Sequence, residues 1–112
     1  MATLSTHVLD TTLGRPAAGI LVTLAKQAPD GLTFVEVGKA LTDQDGRIAK
    51  GDRVMDLGVY RLTFDTGAYF QTHHKGGFYP QVPIVFEIRD PDGHYHVPLL
   101  VSPYGFSTYR GS

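Results

Sequence analysis

Val59-Tyr60-Arg61-Leu62-Thr63-Phe64-Asp65 sets large apolar side chains at 60, 62 and 64 against polar ones at 61, 63 and 65. Successive side chains of an extended backbone point to opposite faces, so this alternation gives one apolar and one wettable face, as in a half-buried antiparallel strand. The same period of two recurs to either side. In residues 19–25, Ile20, Val22 and Leu24 share a face, and further on Ile84, Phe86 and Ile88 alternate with Val85, Glu87 and Arg89. Pro29-Asp30-Gly31, Asp43-Gln44-Asp45-Gly46 and Asp90-Pro91-Asp92-Gly93 each join a chain-bending residue to a glycine that accepts positive φ, which predicts hairpins. Short strands punctuated by thirteen glycines and seven prolines point to an all-β sandwich or barrel. Residues 66–75 break the alternation and are expected to form one short helix. Asp65 or Thr66 would cap its start, His73, His74 and Lys75 would face its negative end, and Gly76-Gly77 would stop it.

The length of 112 residues suits a single domain spanning 1–112. Apolar residues make up 42%, enough for a core. A chain this short still buries only about two thirds of the surface its unfolded form exposes, so association is expected to add stability. Ten Lys and Arg against eleven Asp and Glu give a formal net charge of -1, with no basic block to lie along phosphates; nucleic acid is not an expected partner. The absence of cysteine excludes disulfides and thiolate metal sites, so a zinc ion would need histidines and carboxylates. The first residues carry neither a basic nor an apolar leader region, and no run approaches the roughly 20 apolar residues that span a bilayer. The expectation is a soluble, cytoplasmic protein with no membrane partner.

Candidate chemistry centres on a few polar residues. In the run from Leu4 to Asp10, the period of two puts Ser5, His7 and Leu9 on one face and Leu4, Thr6 and Val8 on the other; parity alone leaves open which face is wet. Spacing alone favours reading His7 as a surface histidine on an edge strand. His94 and His96 flank Tyr95 and project from one side of a strand, where imidazoles titrating near neutral pH suit acid and base chemistry. With His7 they would also make a three-histidine zinc site with an open position for water. Arg47 follows the Asp45-Gly46 turn and offers a planar fork of donors to adjacent carbonyl or enolate oxygens, although most turn arginines are simply solvated. His73 and His74, adjacent on a helix, diverge and cannot share a metal. Residues 103–109 read as a last strand with Tyr104, Phe106 and Thr108 on one face, and Tyr109-Arg110-Gly111-Ser112 after it is either docked or a fraying stub.

Two stretches carry more than spacing does: Leu4-Ser5-Thr6-His7-Val8-Leu9-Asp10-Thr11-Thr12-Leu13-Gly14-Arg15-Pro16-Ala17, and the run from His94-Tyr95-His96-Val97-Pro98-Leu99-Leu100 to Tyr109-Arg110-Gly111-Ser112. Together, with Thr42-Asp43-Gln44-Asp45-Gly46-Arg47, Tyr60-Arg61-Leu62-Thr63-Phe64 and Phe78-Tyr79-Pro80 in order between them, they resemble the 5-hydroxyisourate hydrolases, relatives of transthyretin. Val101 and Phe106 depart from the pattern conservatively. The resemblance implies a transthyretin-like sandwich of two four-stranded antiparallel sheets with one short helix, assembled as a homotetramer, a dimer of dimers with sites where the dimers meet. It implies a cyclic amidase of urate catabolism that opens 5-hydroxyisourate at the N1–C6 amide without metal or cofactor. His7, Arg47, His96 and Ser112 match its catalytic positions, and His7, Arg47, Tyr109 and Arg110 its substrate contacts. Either histidine would be the general base, and Ser112 would act through its hydroxyl or its carboxylate. Two rivals remain at this stage: a transthyretin-like carrier of small aromatic ligands, and a zinc hydrolase built on His7, His94 and His96.

Overall fold

The computed structural model describes residues 1–48 and 53–111. Its elements, in chain order, are β1 (Ala2–Asp10), β2 (Arg15–Pro16), β3 (Leu21–Gln27), β4 (Phe34–Leu41), β5 (Arg53–Met55), β6 (Gly58–Phe64), α1 (Thr66–His73), β7 (Val82–Ile88), β8 (His94–Ser102) and β9 (Gly105–Thr108). One sheet has the order β2-β1-β8-β9, with β5 also pairing β1; the other has the order β4-β3-β6-β7. The alternation in β6 does what its sequence requires, burying Tyr60, Leu62 and Phe64 against Ile20, Val22 and Leu24. From the facing sheet come Leu4 and Val8 of β1 and Tyr95, Val97, Leu99 and Val101 of β8. Burying a large aliphatic or aromatic side chain from each rung contributes roughly 1.5–3 kcal/mol per residue, which is what holds two sheets face to face. On the edge strand β7, Ile88 is buried while Ile84 and Phe86 are only partly covered.

The expected all-β sandwich with one helix is therefore what forms, with two refinements. The second sheet is wholly antiparallel, with the expected hairpin at Pro29-Asp30-Gly31 joining β3 to β4, whereas the Asp90–Gly93 turn makes no hairpin but carries the chain from β7 to β8 in the other sheet; there β1 and β8 run parallel over eight rungs from Thr3↔His94 to Asp10↔Val101. These strands lie far apart in the chain, so no hairpin dictates their direction. The last strand is also shorter than residues 103–109: Pro103 and Tyr104 form the turn into β9, where the Ser102 hydroxyl donates to the Gly105 carbonyl at 3.2 Å. Among the described residues no helix is long and apolar enough to cross a membrane.

The helix boundaries differ from expectation in an instructive way. Asp65 sits at the N-cap but makes no side-chain capping bond, and the Thr66 hydroxyl donates across to the Tyr79 carbonyl instead. His73 stays in the last turn, its Nδ1 3.2 Å from the Tyr69 carbonyl and its ring stacked on Tyr69. His74 does not face the helix end as expected. Its backbone turns extended, and its Nε2 reaches Oδ2 of Asp10 at 2.8 Å. The backbone N–H groups of Gly76 and His74 both return to the Phe70 carbonyl, closing the helix at a glycine with φ +100°.

Asp10 is fully buried at the end of β1 and every lone-pair direction is used. Oδ1 accepts from the backbone N–H groups of Thr12 and Leu13 at 3.0 and 3.1 Å, and Oδ2 accepts from the Tyr69 hydroxyl at 2.7 Å as well as bonding His74. Burial alone pushes the carboxyl up, but the hydrogen bonds from His74, Tyr69 and Leu13 outweigh it and hold the pKa below its ordinary value of 3.8. Tyr69 is pushed well above the usual phenol value by burial and by the Asp10 carboxylate. The carboxylate thus pins the helix to the first strand.

Two outcomes follow. Asp10→Ala strands the Tyr69 hydroxyl, His74 and two backbone donors, and is expected to cost about 3–5 kcal/mol, read as a lowered urea midpoint. Because the folded-state pKa of Asp10 lies below its unfolded value, its contribution is complete above about pH 4 and is lost as pH falls through the folded pKa. Urea titrations between pH 6 and pH 2 should show that loss in the parent and a shallower one in Asp10→Asn.

Candidate active site

The wet face of β1 is settled by burial: Ala2, Leu4, Thr6, Val8 and Asp10 point inward, leaving Thr3, Ser5, His7 and Leu9 on the outer side. β1 is also not an edge strand at His7, since β8 runs alongside and a turn docks on its other flank. That turn is the Asp43–Arg47 loop. Asp43 Oδ1 accepts from the backbone N–H groups of Asp45 and Arg47 at 2.8 and 3.0 Å, and the Asp43 N–H donates to the Arg47 carbonyl at 2.7 Å. Gly46 then meets β1, its carbonyl accepting from the Val8 N–H at 2.8 Å, and its φ of +74° suits only glycine. A Cβ there would run into the Val8 carbonyl and the His7 ring. The loop thereby seats Arg47 opposite His7 as a single antiparallel bridge, with the guanidinium in solvent.

On β8, the parallel register sets Ser5 opposite His96, and Ser5 Oγ and His96 Nδ1 lie 2.8 Å apart, partly buried. One step earlier the same geometry recurs in the open, with Thr3 Oγ1 2.7 Å from His94 Nδ1. The tail closes the far side. The Gly111 N–H donates to the His96 carbonyl at 2.8 Å, and the Gly111 backbone lies so close to the His96 ring that a Cβ would overlap it. Glycine is required here by close approach rather than by φ. Burial is the main cause that lowers the His96 pKa, followed by Arg47, His7 and His94, whose positive charges disfavour another. Burial and the Arg47 charge thus favour the neutral form of His96.

The structure thus brings together His7, Arg47 and His96 of the sequence-derived set. The pairings Leu99↔Thr108 and His96↔Gly111 keep one register, so Tyr109 falls on the face of His96, half-exposed to solvent, and Arg110 on the other. Arg110 lies apart from the imidazoles: its guanidinium stacks 4.3 Å from the Tyr95 ring centroid and reaches the His94 carbonyl at 3.4 Å. The tail is docked through Gly111 rather than a stub; Ser112 lies outside the described residues. The three-imidazole zinc arrangement does not form, since no three His, Asp or Glu side chains among the described residues converge as metal ligands. Two contributors escaped the sequence reading. Ser5 was marked as sharing the His7 face but given no task, and Gly111 gave no sign that its missing side chain mattered.

Comparison with known proteins agrees with this arrangement. Residues 4–111 match the model of the HIUase/Transthyretin family. A 5-hydroxyisourate hydrolase of Salmonella dublin is 45% identical over 111 residues, covering 97% of this chain and 80% of the relative. The solved Klebsiella pneumoniae 5-hydroxyisourate hydrolase superposes with a TM-score of 0.85 at 36% identity over the full length of both chains. A solved (S)-allantoin synthase gives a TM-score of 0.88 at 40% identity, with 99% of this chain spanning only 44% of that one. Match, fold and clustered polar side chains together place this chain in the HIUase/Transthyretin family.

Proposed function

We propose that this protein hydrolyses 5-hydroxyisourate at the N1–C6 amide, giving 2-oxo-4-hydroxy-4-carboxy-5-ureidoimidazoline, a step of urate degradation in the cytoplasm. The observation that carries the reading is His96: a partly buried imidazole kept neutral by burial and by Arg47, in a family whose curated relatives are named hydrolases of that substrate. A neutral imidazole with a cation beside it can take a proton from water without being charged beforehand.

In this mechanism His96 accepts a proton from water as the oxygen attacks C6. The oxyanion that develops on the C6 oxygen lies against the Arg47 guanidinium, whose charge cannot titrate away. Collapse breaks the C6–N1 bond, and the imidazolium returns its proton to N1, so that water's elements end on the acid carbon and the ring nitrogen. His7, on the same face and bridged to Arg47, holds the substrate or the water. Tyr109 lies against the ring, and Ser112 orients a histidine or the water. Arg110, stacked on Tyr95, serves by fastening the tail strand that presents Tyr109 and Gly111. The protein assembles as a homotetramer with sites between dimers; Tyr109 leaves aromatic surface exposed on the face of His96, which supports such burial.

The test is direct: generate 5-hydroxyisourate with urate oxidase and follow its ultraviolet decay with and without the protein. Faster decay is expected, and an unchanged rate, or saturable binding of an aromatic ligand without turnover, would overturn the hydrolase reading in favour of a carrier. His7→Asn, Arg47→Ala and His96→Asn should each lower kcat at least about 100-fold while the folded signal is retained. The acid limb of kcat/KM should fall below the ordinary histidine value of 6.5, since the base form of His96 survives to lower pH. Gly111→Ala, which drives a methyl group into the His96 ring, should remove most of the activity with little change in urea midpoint.

A further inference from the structure

We propose that Ser5 is a positioning residue for this reaction: its Oγ accepts a hydrogen bond from Nδ1–H of His96, leaving the Nε2 lone pair to meet the attacking water. The inference rests on the hydrolase reading and adds to it a specific tautomer and the group that selects it. Ser5 and His96 face each other across the parallel ladder with Oγ and Nδ1 2.8 Å apart. The rung cannot slip easily, because the next residue, Thr6, donates its buried hydroxyl to the Val97 carbonyl at 2.7 Å. Gly111 closes on the ring from the β9 side. The imidazole is thus held in orientation by a hydroxyl at one nitrogen and by backbone along its edge.

A neutral imidazole has one N–H and one lone pair, and the partner of one nitrogen decides what the other can do. A serine hydroxyl can donate or accept. If Ser5 donated to Nδ1, the ring proton would sit on Nε2 and the water would find no base. If Ser5 accepts, Nε2 is the base. A hydroxyl also suits the charges here better than a carboxylate would. Arg47, His7 and His94 face His96, and a carboxylate at Nδ1 would raise the imidazole toward its protonated, useless form. A neutral acceptor orients the ring with a smaller effect of that sign, and the hydrogen bond to the Ser5 backbone that raises His96 is outweighed by burial and the neighbouring charges. The Thr3–His94 rung has the same hydroxyl-to-imidazole geometry but is solvent-exposed, and so provides an internal control.

The experiment compares the intact protein with Ser5→Ala, Ser5→Thr and Thr3→Ala, measuring 5-hydroxyisourate decay against pH and the His96 ring tautomer by 15N NMR. Ser5→Ala should lower kcat about 10- to 100-fold with KM nearly unchanged, in line with the loss of a group that orients an active residue. Ser5→Thr should restore most of it, and Thr3→Ala should leave kcat intact. The parent His96 should carry its proton on Nδ1 above its pKa, and Ser5→Ala should shift it toward Nε2. An Nε2–H tautomer in the parent, full activity in Ser5→Ala, or an equal loss in Thr3→Ala would overturn the proposal. Should the parent fail to speed the decay, the hydrolase reading falls, and the NMR measurement alone still decides whether Ser5 sets the tautomer.

Discussion

The parallel ladder between β1 and β8 is the constraint on which the site depends. Its register fixes which hydroxyl meets which imidazole, and its pleat sends every second side chain outward, so Ser5, His7, His94 and His96 emerge on one surface while Leu4, Val8, Val97 and Leu99 fill the core. A slip of one residue would turn all of these over at once. The ladder ends in the Asp10 carboxylate, where four donors from a turn and from the helix converge on one buried charge. That pairing makes the register costly to change: sliding β1 would pull Asp10 from its donors as well as move leucine and valine into water.

Much of this was legible in the chain. The period of two in β3, β6 and β7 needs only a local rule; β3 and β6 bury the residues their alternation assigns, and the edge strand β7 turns the assigned face inward while covering Ile84 and Phe86 only partly. The shared face of Ser5 and His7, and that of His94 and His96, likewise follow from parity. What parity cannot supply is the partner across the sheet. Whether His7 faced water or core depended on β8, more than eighty residues away, and the direction of that pairing is set by how the two sheets stack. His74 failed for the same reason: local spacing placed it at a helix terminus, and only the folded chain brings it to Asp10. Arg47 could not be told from other turn arginines until Gly46 was found pressed against Val8 and His7.

The site's electrostatics are equally non-local. Burial first, and after it the interaction with Arg47 from a loop, His7 from β1 and His94 from β8 itself, lowers the His96 pKa and favours the neutral ring. Among the described residues no carboxylate is hydrogen-bonded to His96, in contrast with His74, whose partner is Asp10. The same side chain thus has two occupations in one small protein. One histidine clamps the fold against a charge, and the other meets only a neutral hydroxyl among the described side chains.

The pairing of β1 with β8, which in turn carries β9 and the strand-like tail, also governs the order of assembly. During synthesis the second sheet can close from strands that all lie within residues 21–88, but β1 has its long partner only after residues 94–102 leave the ribosome. Until then its apolar inner edge is unpaired, a condition that invites association with other nascent chains. Contacts of such long sequence separation slow folding, because loop closure precedes any stabilising contact. The chain therefore completes the face that carries His7 and His96 last, and a protein arrested before β8 would expose an adhesive strand instead of that surface.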